Sequence, residues 1–362
     1  MRGTSRRITR EMEGRRRMSQ LWKSLATAAL AAGLALIGRA GAQELAVGTI
    51  GASSDSPFFI ADKRGYFKDE GLTVKFIRFD SAAKAMAPLG TGELSVASGA
   101  TSAALYNAVR RGVTLRIVAD KAKNPPGYGF ESLLVRSNLK DKIKTLADFK
   151  GRKIAISAPG NSEDFLVDYA MRKAGMTIKD VNPVYLGFPQ HIAAFTNGGI
   201  DVSLSVEPSI SSIEKADKAA RFLGVDEFYP NFETAVVFYS EKFIKERPED
   251  AKKFMRAYLR GARDYLDALN GDRLTAPAAD QVIPILNEYS FIKKPDVYRA
   301  MRSHYVDPNG ELNVASLKNV WQFFKDTKLI DGSVTVDQVV DTSFAKWAAQ
   351  QLGPYKKKTA AK

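Results

Sequence analysis

The stretch LSVASGATSAALYNAVRRG (Leu94–Gly112) decides the fold class. LSVAS is a short apolar run of strand type. Gly99-Ala100-Thr101-Ser102 is small and polar, suited to capping a helix. Arg110 and Arg111 complement the dipole at that helix's end before Gly112 stops it. The same order occurs twice more. LAVGTI (Leu45–Ile50) runs into Gly51–Asp55, and Ser56-Pro57 opens a helix with Ser at the cap and Pro in the first turn. KIAIS (Lys153–Ser157) runs into Ala158–Asp164, where Asn161 or Ser162 caps a helix carrying Phe165, Leu166, Tyr169 and Ala170 on one face and ending at Gly175. Three strand, loop and helix units predict an α/β fold. In open α/β sheets such loops lie at the carboxyl ends of the strands and face a crevice, where free amides at a helix start accept polar or anionic groups. Capping and binding can coexist in the same residues.

The intervening sequence fits this reading. Gly65 interrupts the first helix, and Gly71 precedes the strand LTVKFIRF. Ser81–Leu89 reads as a helix and Leu115–Ala119 as a strand. Lys123–Gly129 (KNPPGYG) is the most loop-like segment and a natural boundary. Beyond it come the strand ESLLVRS, a short helix KTLADFKG, the strand VNPVYLG, a helix from Pro189 to Gly198-Gly199, and the buried-type strand IDVSLSV ending at Glu207-Pro208. ETAVVFYS (Glu233–Ser240) is the last long strand. The rest is mainly helical, with Phe254, Ala257, Tyr258, Gly261, Ala262 and Tyr265 in one stripe.

Composition removes several classes. With 362 residues, 45% hydrophobic content and no Cys, the chain is neither disordered, nor a disulfide scaffold, nor a Cys-ligated zinc protein or thiol enzyme. Its length favours two domains. The net charge of +14 is unevenly spread: residues 1–42 carry +7 and residues 356–362 carry +4, leaving +3 for the rest, so a nucleic-acid partner loses its support. Residues 1–42 have a basic region, an apolar run LATAALAAGLALIG (Leu25–Gly38) and small residues Ala40–Ala42, which predicts a secretory signal cleaved after Ala42. The run is too short to span a membrane. Translation from Met18 would give a compact signal, and Ser5-Arg6-Arg7 offers a twin-arginine alternative that Glu11 and Glu13 disfavour. The KKKTAAK end reads as a frayed tail, with attraction to anionic lipid as the sharper alternative.

Enzyme signatures are missing: there is no phosphate-binding Walker loop, no Gly-x-Ser-x-Gly and no His-Glu-x-x-His. The two histidines leave little for a metal site, and no cofactor is expected. His191, at a helix start, is either a solvated cap or a pocket-lining group; His304 is a surface or packing residue.

GYFKDEGLTV (Gly65–Val74), GTGELSVASGATSAALYNAVRRG (Gly90–Gly112), LADFKGRKIAISAPGNSEDF (Leu146–Phe165) and IDVSLSVEPSI (Ile200–Ile210) together resemble the substrate-binding proteins of nitrate, sulfonate, taurine and thiamine-precursor ABC importers. The resemblance covers Leu45 to Tyr265. It implies a two-lobed periplasmic-binding-protein type II fold, with two crossing strands as a hinge and Tyr66, Phe67 and Leu72 in the core. Lobe I would be residues 44–130 plus 236–355, lobe II 131–235, and 356–362 a disordered basic tail. It further implies a periplasmic, monomeric protein that captures a small-molecule solute for an ABC permease without a covalent step. A related pyrimidine synthase on this fold is disfavoured by the export signal and the lack of Cys. A sensor module with the same fold but no permease is the main alternative.

By family position the resemblance places Ser53, Ser54, Asp55, Ser98, Gly99 and Thr101 of the first lobe in the pocket, with Gly160, Asn161, Ser162, Gln190 and Glu207 of the second. Phe58, Phe59, Tyr128 and Phe188 serve as aromatic wall or as core. Asp55, Glu163, Asp164 and Glu207 at these loops disfavour a bare inorganic anion. A small organic solute with polar and apolar parts, such as a heterocycle, an amide or an aromatic acid, is preferred to nitrate.

Overall fold

The structure, a computed structural model, describes residues 44–358. The signal segment, its cleavage point after Ala42 and residues 359–362 lie outside the described residues.

Two five-stranded mixed sheets organise the chain. The first contains β1 (Leu45–Thr49), β2 (Val74–Arg78), β3 (Val96–Gly99), β4 (Leu115–Asn124) and β10 (Phe232–Ser240), in the order β2-β1-β3-β10-β4. The second contains β5 (Glu131–Arg136), β6 (Lys153–Ile156), β7 (Asn182–Tyr185), β8 (Val202–Val206) and β9 (Ala219–Gly224), in the order β7-β6-β8-β5-β9. The arrangements correspond. Three parallel strands come first, then one antiparallel to its neighbours, then an outer strand. In each sheet the antiparallel strand has just arrived from the other lobe: β4 leads into β5, and β9 into β10. These two crossings form the hinge the resemblance implies. A shared signal marks them, Phe130-Glu131-Ser132 opening β5 and Phe232-Glu233-Thr234 opening β10.

Burial explains why the strand runs are nearly continuous apolar sequence. Every residue of β3, β8 and β10 is buried, as expected for strands covered on both faces. The long helix Pro248–Asp267 sets its apolar stripe against the helix Ser56–Lys63, where Phe58 lies 4.7 Å from Tyr258 and 6.0 Å from Phe254, ring centre to ring centre. Gly261 is required there, because a Cβ would strike the Pro57 carbonyl. Phe67 and Leu72 join the same cluster, with the partly buried Tyr66 packed against it.

Three local readings change. β4 continues to Asn124, since it pairs with β10 as far as Asn124 opposite Phe232, so the loop begins at Pro125. Ala219–Gly224 forms the unanticipated strand β9, where Arg221 is part-buried against Glu207. Ser56 is the first residue of its helix and Asp55 the cap position. At the chain end, Lys358 donates its backbone N–H to Asp267 at 2.9 Å. No helix among the described residues is long and apolar enough to cross a membrane.

Candidate functional site

The strand-end loops meet across the gap between the sheets. The amide of Ser162 donates to the Thr101 carbonyl at 2.9 Å, and that of Ala103 to the Gly160 carbonyl at 2.8 Å, pairing Ser102 with Asn161 as an antiparallel bridge. Nearby, the Ser53 amide (3.2 Å) and hydroxyl (3.0 Å) both donate to the Glu207 carbonyl. Asp80 and Gly187 approach so closely that a Cβ on Gly187 would sit 2.9 Å from that of Asp80. The lobes are therefore closed, and hydrogen bonds a modest rotation could break hold the mouth.

Beneath the mouth lies a cavity of about 20 Å³, lined by Ile50, Ser54, Ala82, Ala100, Phe130, Glu131, Ser157, Glu163, Phe188, Val206, Thr234 and Ala235. That is room for about one water molecule, so any larger solute requires the lobes to part. Wider grooves exist near Tyr169 and Lys346, of about 780 and 860 Å³, but they are open surface depressions rather than part of this closed gap.

Of the residues anticipated for the pocket, Ser54 and Phe188 line this cavity. Ser54 is buried and its hydroxyl has no partner. Others build the frame. Both Asp55 oxygens are engaged: Oδ2 accepts from the amides of Ile50 (3.1 Å) and Gly51 (2.8 Å), and Oδ1 accepts from Ser98 Oγ (2.9 Å) and sits 2.6 Å from Lys121 Nζ, with both ionic groups fully buried. Glu207 is likewise consumed, by the Ser211 amide (2.9 Å) and hydroxyl (3.0 Å), the Arg302 amide (3.2 Å) and Arg221 (2.8 Å). Asn161 caps its helix through the Glu163 amide at 3.0 Å. Gly99 adopts a φ of +135°, a conformation that suits only glycine, and a Cβ there would meet Ala82. Ser53, Ser98, Thr101, Gly160 and Ser162 hold the loops together without lining the cavity. Phe58 and Phe59 are core, Tyr128 packs edge-on against Tyr305, and Gln190 is exposed.

The expected free amides are largely satisfied by the chain's own carboxylates. Asp55 takes those of Ile50 and Gly51, Glu163 takes that of Ser157 at 2.7 Å, and Asp164 takes that of Gly160 at 2.6 Å. At the first and third of the strand-end loops the amides that could hold an anion are thus filled from within.

Sequence reasoning missed Glu131 and Thr234, which the crossing strands bring into the cavity. Glu131 Oε2 accepts from Thr234 Oγ1 (3.0 Å) and Asn124 Nδ2 (3.4 Å). Burial, then the nearby Glu163, push the Glu131 carboxyl well above its usual range, against the pull of those hydrogen bonds. Burial pushes Glu163 up to about 7 despite its bonds from Ser157. The repeated Phe-Glu-Ser/Thr at the two crossings was the signal that could have found Glu131 and Thr234.

Neither histidine is at the cavity. His191 is fully buried, its Nδ1 2.6 Å from Ser205 Oγ and its Nε2 2.9 Å from the Leu186 carbonyl, and burial pushes it down to about 4. It is neither a solvated cap nor a pocket wall. His304 is a packing residue, its ring stacked 4.5 Å from Tyr265. Among the described residues no group of three or more His, Asp or Glu side chains could hold a metal ion.

The family described as NMT1/THI5 like matches residues 53–268, from the first strand-end loop through both crossings to the end of the long helix. The chain belongs to the NMT1/THI5-like family. A Bacillus subtilis protein provisionally named as aliphatic sulfonates-binding is similar to this NMT1/THI5-like chain, with 24% identity over 307 residues, 82% of this chain and 86% of its own. A 4-amino-5-hydroxymethyl-2-methylpyrimidine phosphate synthase of Aspergillus parasiticus is 25% identical over 231 residues, 58% of this chain and 62% of the synthase. The alkanesulfonate-binding protein of Xanthomonas axonopodis pv. citri, solved bound to MOPS, superposes with a TM-score of 0.66 at 20% identity, covering 82% of this chain and 98% of that one. That likeness establishes the shared two-lobed fold.

Proposed function

We propose that this chain is a periplasmic solute-binding protein that captures a small organic solute between its lobes and delivers it to an ABC permease. The observation that carries the reading is the closed inter-lobe cavity, which lies between two sheets joined by two chain crossings and is covered at its mouth by loop-to-loop hydrogen bonds. Such a joint can open and shut as a hinge, and a solute that bridges the lobes favours the shut form. The lobes are residues 44–130 plus 236–355 and residues 131–235, the signal ends at Ala42, and the protein works as a monomer. Ser54, Glu131, Ser157, Glu163, Phe188 and Thr234 contact the solute.

Binding without chemistry fits these residues better than the synthase activity named for the Aspergillus relative. Both histidines lie sealed in the lobes, so no nucleophile at the cavity has a neighbouring base of that type. The test is thermal unfolding of residues 43–362 against sulfonates, nitrate, pyrimidines, amides, amines and aromatic acids. A true solute at about 100 times its Kd adds roughly 2.7 kcal/mol of stability and raises the melting temperature selectively. A folded protein whose melting responds to nothing in the panel counts against the reading.

A further inference from the structure

The cavity's ionisable groups are of one kind. Glu131 reaches it from β5 and Glu163 from the start of the helix Ser162–Arg172, close enough for Glu163 to add to the burial that raises the proton affinity of Glu131. No Lys or Arg lines the cavity. The fully buried Lys121 is committed to Asp55 at 2.6 Å. Strand-end amides of the first and third loops that would receive an anion already serve Asp55, Glu163 and Asp164. Two acceptors remain available. The hydrogen bonds to Glu131 both fall on Oε2, leaving Oε1 uncommitted. Ser54 Oγ, 1% exposed, lines the cavity from the opposite lobe with no partner of its own. Of the remaining walls, Ser157 and Thr234 already donate their hydroxyls to Glu163 and Glu131, and the rest, Phe130, Phe188, Ile50 and Val206 among them, are apolar.

We infer that the solute is a small organic cation, a primary ammonium or amidinium on a compact apolar body, held between the Glu131 and Glu163 carboxylates with Ser54 Oγ as a further acceptor. This rests on the solute-binding reading above and deepens it. A buried carboxylate is costly unless paired with a hydrogen-bonding cation; here two carboxyl groups share one small space and the chain supplies no cation to either. A sulfonate or nitrate would instead add a third negative charge. The raised proton affinity of both groups is the same fact seen from the other side, since a proton does in part what the solute's N–H groups do fully.

Matched pairs on one carbon skeleton test the inference. Benzamidine is compared with benzoate and benzenesulfonate, and butylamine with butyrate and butanesulfonate, by calorimetric titration of residues 43–362 at pH 8. The expected result is that at least one cation binds while its matched anions do not, and that Glu131→Gln weakens that cation at least tenfold. Should Glu131→Gln fail to fold, Glu163→Gln reads the same loss, because its amide oxygen still accepts from Ser157. Ser54→Ala is expected to cost several-fold. Binding of an anion in preference to its matched cation overturns the cationic class but leaves solute binding standing. Silence from both series overturns the inference, and silence from the wider panel as well overturns the function. A cation whose affinity is unchanged by both glutamine variants likewise overturns it.

Discussion

Asp55→Ala is expected to act on stability through a fully buried ion pair. The carboxylate at 2.6 Å from Lys121 Nζ also accepts from two backbone amides and from Ser98. Removing one partner of a buried pair costs about 3–5 kcal/mol, because the other charge is stranded. An orphaned buried amide adds roughly 1–3 kcal/mol. The terms overlap, so a loss of about 4 kcal/mol or somewhat more is expected. Against a typical total of about 5–15 kcal/mol the variant still folds, with its melting point lowered by roughly 6 °C. Burial already pushes the Lys121 ammonium below its usual range, with Asp55 opposing that shift. Without Asp55 the folded-state value falls further. The unfolded state then binds more protons than the folded one, and the variant gains stability as pH rises from 7 to 10. Urea unfolding of wild type, Asp55→Ala, Lys121→Met and the double variant forms a closed cycle. The double variant is expected to be more stable than Asp55→Ala alone. A loss under about 1 kcal/mol in Asp55→Ala, or a double variant no better than it, would refute the argument.

Glu207→Ala, which leaves Arg221 with Glu214 as its remaining carboxylate and frees the Ser211 and Arg302 amides, is expected to cost about 3 kcal/mol in urea unfolding, a loss unrelated to any solute contact. Glu163 is raised to about 7 and Asp164 to about 6, each chiefly by burial, with Glu131 and Tyr185 as their neighbours. Folded values above unfolded ones mean stability that is full below about pH 4.5 and lost as pH rises through 7. Stability should fall between pH 5 and pH 8, by on the order of 3 kcal/mol from Glu163, with the melting temperature falling alongside, and Glu163→Gln should flatten the slope; an unchanged slope in that variant would count against the assignment. Gly261→Ala forces a Cβ into the Pro57 carbonyl and is expected to destabilise by about 1–3 kcal/mol. Ser102 and Asn161 form a non-hydrogen-bonded antiparallel pair, whose roughly 4.5 Å Cα spacing suits a disulfide; the Ser102→Cys/Asn161→Cys variant should oxidise spontaneously and take up solute only after reduction, and equal uptake in both redox states would show that the mouth is not the route.

The strands and loop positions were legible because buried strands and helix caps write themselves locally, as at Leu94–Ser102 and Lys153–Ser162. Direction was not. Asp55 and Glu207 sit in the loops where a pocket residue belongs, but whether a carboxylate faces a solute or a neighbouring amide depends on partners 66 and 14 residues away, Lys121 and Arg221. Lys121 was hidden for the same reason: a lysine in DKAKN looks solvated until the strand is seen to run on to Asn124 between covered faces. Glu131 was passed over because one acid opening an apolar strand usually marks an edge, and only the matching Glu233 in the second crossing sets it apart.

The crossing strands also govern when the molecule can come into being. β10 lies between β3 and β4, so a nascent chain that has reached β4 holds two strands with nothing yet to join them, and the missing piece is not synthesised until Phe232–Ser240. The half made first cannot be finished before the half made second. Non-local pairing of this kind delays folding, and it keeps the growing polypeptide loose until almost two thirds of it exists, the condition in which a chain can still be threaded through a narrow pore.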